Sequence, residues 1–342
     1  MAEVGTRFRQ VSPAMARLVL ALFALLVALC VLVAMGPAGS GAVTGPAGEG
    51  DLDTYRGIVA ALQRGVPYYD ALRGALLADG YGMQSIFNWR PPFFLSAVAL
   101  SPMAAHGVLI MIAGAALLLS LGLVDGLGQR LGLVALELLG LAGVLAPGAA
   151  YLCELYAGAL ILLSVVAYAR GWIWAGVAAA AAALLCRELS AIYVLVCIIL
   201  AIRARRWREL AGWAVVLVAY AAYFGWHVSI VLGLISATDP GYAEGWVQLG
   251  GLRFVLATAR FNGAFLLLPG WVTALLLPAA LLGVIGWRGG GRTAAAILAC
   301  LAAFAVIGKP VNWYWGALYT PLLALGAAWA PPALRDLIRA AR

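Results

Sequence analysis

The sequence predicts an all-α polytopic integral membrane protein, a single membrane domain over residues 1–342 with about ten transmembrane helices. Three observations predict it. Apolar residues make up 65% of the chain and charged residues only 11%, with a mean hydropathy of +1.00, far from the composition of soluble domains. Apolar runs of roughly 20 residues, the length that crosses about 30 Å of hydrocarbon, recur along the chain. The arginines gather in short segments between those runs, the pattern of a positive-inside protein.

The runs fall at residues 14–35, 105–124, 131–148, 151–169, 209–235, 263–287 and 313–330, with shorter ones at 172–187, 189–202 and 293–308. Arg7, Arg9 and Arg17 precede the first, which is longer than the apolar part of a signal peptide and reads as a retained span. Arg170, the cluster Arg203, Arg205, Arg206 and Arg208, then Arg288 with Arg292, and Arg335, Arg339 and Arg342 mark the remaining cytoplasmic segments. Both termini are then cytoplasmic, and residues 36–90, 148–154, 187–190, 236–262 and 309–313 lie on the extracytoplasmic side of a bacterial plasma membrane.

This sidedness decides two ambiguous stretches. Residues 172–202 are apolar apart from Arg187 and Glu188, and a single helix would place Arg170 and the Arg203 cluster on opposite sides. Two short helices with a turn at Cys186 to Ser190 are expected instead. Residues 91–103, from Pro91 and Pro92 to Ser101 and Pro102, are expected as a re-entrant or interfacial helix. The five cysteines, Cys30, Cys153, Cys186, Cys197 and Cys300, lie in apolar segments without CxxC pairing and imply neither a disulfide framework nor a zinc site. The net charge of +8 is assigned to inside-facing arginines and anionic lipid headgroups, not to nucleic acid.

The extracytoplasmic loop 36–90 is the most polar part of the chain and carries Glu49, Asp51, Asp53, Asp70 and Asp79. Gly36 to Gly50 reads as an irregular link. Beyond it, Tyr55, Ile58, Val59 and Leu62 have helical spacing, which predicts a short amphipathic helix over 54–64 lying on the membrane surface, followed by a second from Asp70 to Ala78. No inverted internal repeat of the transporter kind is visible.

The ordered segments "DLDTYRGIVAALQRGVPYYDAL", "NWRPPFF", "RELSAIYVL" and "KPVNWYWG" resemble the GT-C superfamily of membrane glycosyltransferases. Within it they are most similar to bacterial polyprenyl-phosphate-mannose-dependent mannosyltransferases. The likeness covers most of the chain in topology, but its motifs are short. It implies a GT-C-like fold and inverting transfer of a sugar, mannose as first choice, from a polyprenyl-phosphate-linked donor to a hydroxyl of a lipid-anchored glycan, polymer or protein. A membrane transporter or lipid-linked-substrate flippase is the alternative, and a noncatalytic scaffold a further one.

Such a transfer needs a carboxylate to take the acceptor proton and cations for the departing phosphate. In the family pattern the acid precedes a tyrosine by four positions, which selects Asp51 with Tyr55 and keeps Asp53 as its rival. Either aspartate equally suits capping of a helix that starts near Thr54. Lipid-phosphate donors of the family generally need no metal, so no cofactor is expected and a metal ion stays unassigned. Lys309, the single lysine among 22 basic residues, sits at an outer boundary where positive-inside logic disfavours it. Arg187 interrupts an apolar run, a costly placement that points to donor-phosphate binding or to an ion pair with Glu188 or Glu154. Glu154, Arg187, Glu188 and Lys309 thus come from separate hairpins to one face. His227 and Arg90 are further candidate substrate contacts, with Arg253 and Arg260 behind them and His106 weaker still. Trp313, Tyr314, Trp315 and Tyr319 suit an interfacial belt or a sugar platform.

Overall fold

The computed structural model describes residues 6–36, 51–241 and 248–342, and within these the chain is helical with no strand. Glu49, the rest of the expected link to Gly50 and the middle of the second outer loop, 242–247, lie outside the described residues. Helix α1 (Pro13–Met35) opens on Ser12, whose hydroxyl accepts from the Met15 amide, with Pro13 in the first turn where its missing N–H costs nothing. Two short helices follow, α2 (Asp51–Gln63) and α3 (Tyr68–Ala78), then α4 (Pro92–Leu100) and α5 (Pro102–Ser120). The remaining order is α6 (Leu127–Leu141), α7 (Cys153–Ala169), α8 (Ile173–Cys186), α9 (Ala191–Arg203), α10 (Trp207–Leu234), α11 (Gly251–Arg260), α12 (Gly270–Gly286), α13 (Gly291–Val306) and α14 (Thr320–Ala341).

Four helices are long and apolar enough to cross a membrane: α1, α10, and α5 and α6 with the 3-10 turns that continue them. A fifth results if the 3-10 segment Pro310–Leu318 and α14, bent by 63° at their junction, are one span. Helices α7, α8, α12 and α13 are apolar but shorter. The chain is thus an integral membrane protein, all-helical among the described residues. The nine residues of α4 extend only about 13 Å and do not cross. Residues 172–202 divide as expected: α8 stops at Cys186, Arg187 is extended, Glu188–Ser190 forms a 3-10 turn and α9 begins at Ala191.

Helix α7 is the hub, buried along nearly its whole length between α5, α8, α14 and the segment 310–318. Between lipid-embedded helices the hydrophobic drive is weak, so close backbone approach by small residues carries the packing. A Cβ on Gly158 would run into the Ala317 carbonyl, one on Gly283 into the Gly326 carbonyl and one on Gly326 into the Ala280 carbonyl. These glycines set the crossings of α7 with 310–318 and of α12 with α14. Between α5 and α6, the buried Ser120 hydroxyl lies 2.7 Å from Glu137 Oε2 and 2.7 Å from the Leu117 carbonyl, a polar tie absent from the sequence expectations.

The basic segments share one end of the bundle. Arg7 donates to the Arg288 carbonyl at 2.8 Å and Arg17 to the Ala341 carbonyl at 3.0 Å. Thr6 donates through its amide and hydroxyl to Asp336 Oδ2, each at 2.9 Å, while Arg9 pairs with Asp336 Oδ1 at 3.3 Å. On the same end, Glu209 lies 3.5 Å from Arg206 and 4.0 Å from Arg292.

Two expectations are corrected. The apolar face of α2 does not lie on the membrane surface: Ile58 and Val59 are buried and the helix packs on α3 and α4. Trp315 and Tyr319 are not belt residues. Both are buried inside the bundle against Phe304, and the Tyr319 hydroxyl is 2.9 Å from that of Thr258.

Candidate functional site

At the end opposite the basic segments, four elements bring charged side chains together. Helix α2 contributes Asp51 and Tyr55, the stretch before α4 contributes Arg90, the first turn of α7 contributes Glu154, and the α8–α9 break contributes Arg187 and Glu188. Each placement has a local cause. Pro91 and Pro92 start α4 and leave Arg90 on extended chain just before it. Glu154 sits where the helix dipole favours an anion. Arg187 leaves the helix with φ −148° and ψ 117°, and the break is closed by Arg187 N–H and Ser190 Oγ–H donating to the Ala183 carbonyl at 2.9 and 3.1 Å.

Arg187 is 2% exposed and stands between two carboxylates. Nη1 donates to Glu188 Oε1 at 2.6 Å, and Nε lies 3.0 Å from Glu154 Oε1. The second contact is Coulombic: Nε–H and Oε1 are not aligned as a hydrogen bond and neither has another partner. Burying these charges is tolerable only because each carboxylate stands against a guanidinium, Glu154 against Arg187 and Glu188 against both Arg187 and Arg90. Glu188 also accepts from Arg90 Nη1 at 3.0 Å, and Arg90 Nε donates to the Tyr55 hydroxyl at 3.0 Å. Arg90 is the more accessible cation, with a side chain 16% exposed. Burial pushes the Tyr55 phenol well above its ordinary range, with Arg90 opposing the shift, so it stays neutral.

Asp51 and Asp53 part company. Asp51 accepts from the Tyr81 hydroxyl and acts electrostatically on Tyr55, Glu154 and Tyr314. Asp53 pairs with Arg56 at 3.1 Å on the exposed side of the helix. Both stand in the first turn of α2, so neither caps a helix beginning at Thr54. Tyr81 was not among the expected site residues. Its reach depends on the turn after α3, where Gly80 has φ +70° and Asp79 accepts from the Thr54 hydroxyl. A second contact thus fastens the same turn to α2.

His227, His106, Arg253 and Arg260 have other surroundings. His227 is fully buried, with Nε2 2.9 Å from the Trp89 carbonyl and Nδ1 3.0 Å from the Tyr69 hydroxyl. A carbonyl only accepts, so Nε2 carries the proton and Nδ1 accepts from Tyr69. The ring is a brace between α3, α10 and the chain before α4 rather than a substrate ligand. His106 lies 2.7 Å from the Val144 carbonyl. Arg253 and Arg260 are exposed on α11. Lys309 is partly buried at the start of segment 310–318, whose Tyr314 is within electrostatic reach of Asp51, Glu154 and Arg90. Among the described residues, no group of three or more His, Cys, Asp or Glu is placed to hold a metal ion.

The chain after α10 docks on the segment between α1 and α4. Arg73 pairs with Asp239 at 2.8 Å and donates to the Leu234 carbonyl at 2.7 Å. Gln84 Nε2 donates to the Asp239 carbonyl at 3.0 Å, and the Met83 amide to the Pro240 carbonyl at 2.7 Å. The Ser236 amide and then Arg73 hold the Asp239 carboxyl below the usual carboxylate range.

Comparison of the chain with family models, with curated proteins and with solved structures returns no match.

Proposed function

We propose that the protein is a GT-C type membrane glycosyltransferase. The observation that carries this reading is that Asp51, held by Tyr81, lies within electrostatic reach of Glu154 in the Arg90–Glu188–Arg187–Glu154 network at the end away from the basic segments. In the proposed topology ten helices span, α1, α5 to α10, and α12 to α14, with both termini cytoplasmic and the site facing outward from a bacterial plasma membrane. The acceptor hydroxyl attacks the anomeric carbon as the C–O bond to the polyprenyl phosphate breaks on the opposite face, which inverts the centre. Asp51 takes the hydroxyl proton and the lipid phosphate leaves as the anion. Two guanidinium groups pair with two carboxylates in this network, and Asp51 adds a third negative charge within electrostatic reach of Glu154. A phosphate would therefore meet the accessible edge of Arg90, with Lys309 adding the positive charge the network lacks. Arg187, enclosed by its two carboxylates, fixes the geometry rather than gripping the phosphate. Mannose is the first choice of sugar, with arabinose, galactose and glucose open.

The deciding experiment offers membranes a panel of radiolabelled polyprenyl-phosphate sugars. One donor should be consumed by the wild type, Asp51→Asn should lower transfer by about 10²–10⁴-fold with donor binding retained, and Asp53→Asn should keep it. Equal rates for wild type and Asp51→Asn would refute the base assignment. Charges at a broken helix also suit a transporter. Gradient-dependent movement of the donor without a transferred product would favour that reading.

A further inference from the structure

At the basic end of the bundle, a groove of about 420 Å³ runs along the last three turns of α14, lined by Pro331, Leu334, Arg335, Ile338, Arg339 and Arg342. The spacing places all six on one helix face. Apolar and cationic groups interleave along it, and Ile338 is 41% exposed. The surroundings add more positive charge: Arg7, Arg9, Arg17 and Arg288 are drawn to this end by the contacts of the N-terminal segment. Asp336, the acid on this helix, is 1% exposed and engaged by Thr6, by Arg9 and, at 4.0 Å, by Arg335 Nε. Arg335 and Arg339 have partners within the chain as well, but a guanidinium carries five N–H donors and one partner does not exhaust them.

We propose that this groove holds the phosphate headgroup of one anionic phospholipid. The arginines take the phosphate through charge-assisted hydrogen bonds, and an acyl chain lies along Pro331, Leu334 and Ile338, toward the apolar length of the helix. A soluble anion would gain nothing from that apolar stripe. Basic side chains beside a membrane surface each contribute on the order of a kcal/mol to anionic lipid binding. Three in one groove select one lipid from the bulk. The site is at the opposite end from the Asp51 cluster and does not depend on the reaction proposed for it.

The test is native mass spectrometry of the detergent-purified full chain, offered phosphatidylglycerol or phosphatidylcholine at equal concentration. The wild type should retain one phosphatidylglycerol in preference to phosphatidylcholine. The combined variant Arg335→Gln, Arg339→Gln, Arg342→Gln should weaken that retention by about a hundredfold. Ile338→Glu, which keeps every arginine and sets an anion in the groove, should expel the lipid too and serves if the triple variant does not fold. The variant Arg203→Gln, Arg205→Gln, Arg208→Gln, in another basic segment, should leave it in place. Equal retention of the two lipids by the wild type, undiminished retention in the α14 variants, or an equal loss in the Arg203 group would overturn the proposal. Displacement of the lipid by an equal concentration of inorganic phosphate would replace it with a free-anion site.

Discussion

Asp51 and Asp53 are two positions apart, which on an α-helix is about 200° of rotation, so one faces the charge cluster while the other faces Arg56 and solvent. Their order in the sequence cannot say which faces inward; the packing of α2 on α3 and α4 does. Tyr81 then fixes one oxygen of Asp51. A hydrogen bond to a charged group contributes about 1.5–3 kcal/mol, so Tyr81→Phe should slow sugar transfer by roughly ten- to a hundredfold with donor affinity unchanged. Transfer assays beside donor-binding titrations check it, and an unaltered rate would remove Tyr81 from the site. Arg187 is held differently, by burial between Glu154 and Glu188. Arg187→Ala leaves the buried Glu154 carboxylate without its cation, while Glu188 keeps Arg90, and should destabilise the fold by about 3–5 kcal/mol. Arg187→Met combined with Glu154→Gln, which leaves the Arg90–Glu188 pair intact, should recover much of that loss in denaturant unfolding from detergent.

Among the elements, the helix break at Arg187 follows from a local conflict. A charged pair inside an apolar run is accommodated by turning the chain, and the freed backbone groups are satisfied by Ser190 and Ala183. That conflict is visible in the sequence. The crossing of α12 and α14 is not, because Gly283 and Gly326 look like ordinary membrane-helix glycines until the backbones meet. Gly283→Val should push the helices apart and cost at least 1–3 kcal/mol, seen as a lower melting temperature and loss of a monodisperse peak in size-exclusion chromatography. Gly114→Ala, where an added Cβ meets open space, should be neutral or slightly stabilising. Equal melting temperatures for the two variants would mean that the close approach does not carry this crossing.

Over the whole molecule, the ion pair of Arg73 with Asp239 joins the chain after α10 to α3, beside the backbone contacts of Met83 and Gln84. Because the folded-state carboxyl of Asp239 titrates below its ordinary value, its contribution is present above the unfolded value of roughly 4 and is lost as pH falls through the folded value. Proteolysis of these segments in detergent should therefore accelerate as pH drops below about 4 in the wild type. Asp239→Asn should be cleaved faster at neutral pH and show less further change. Indistinguishable cleavage of the two proteins across this range would exclude a role for this ion pair. Much of this architecture was legible beforehand. The apolar runs, the helices near 54–64 and 70–78 and the division of 172–202 rest on local patterns of charge and hydropathy, and of the four charges expected together, Glu154, Arg187, Glu188 and Lys309, the first three are in contact. His227 was legible as a residue but not in its role, since Tyr69 and the Trp89 carbonyl reach it from elsewhere in the chain. Composition and periodicity alone determined that the chain is helical and made for a membrane, because the bilayer sets element length and punishes stray charge regardless of neighbours. Only the tertiary structure decided that Asp51 and not Asp53 joins the cluster, that Tyr81 holds it and that Arg187 is enclosed. Those outcomes depend on which distant side chains close packing brings within hydrogen-bond reach, and no local pattern encodes that distance.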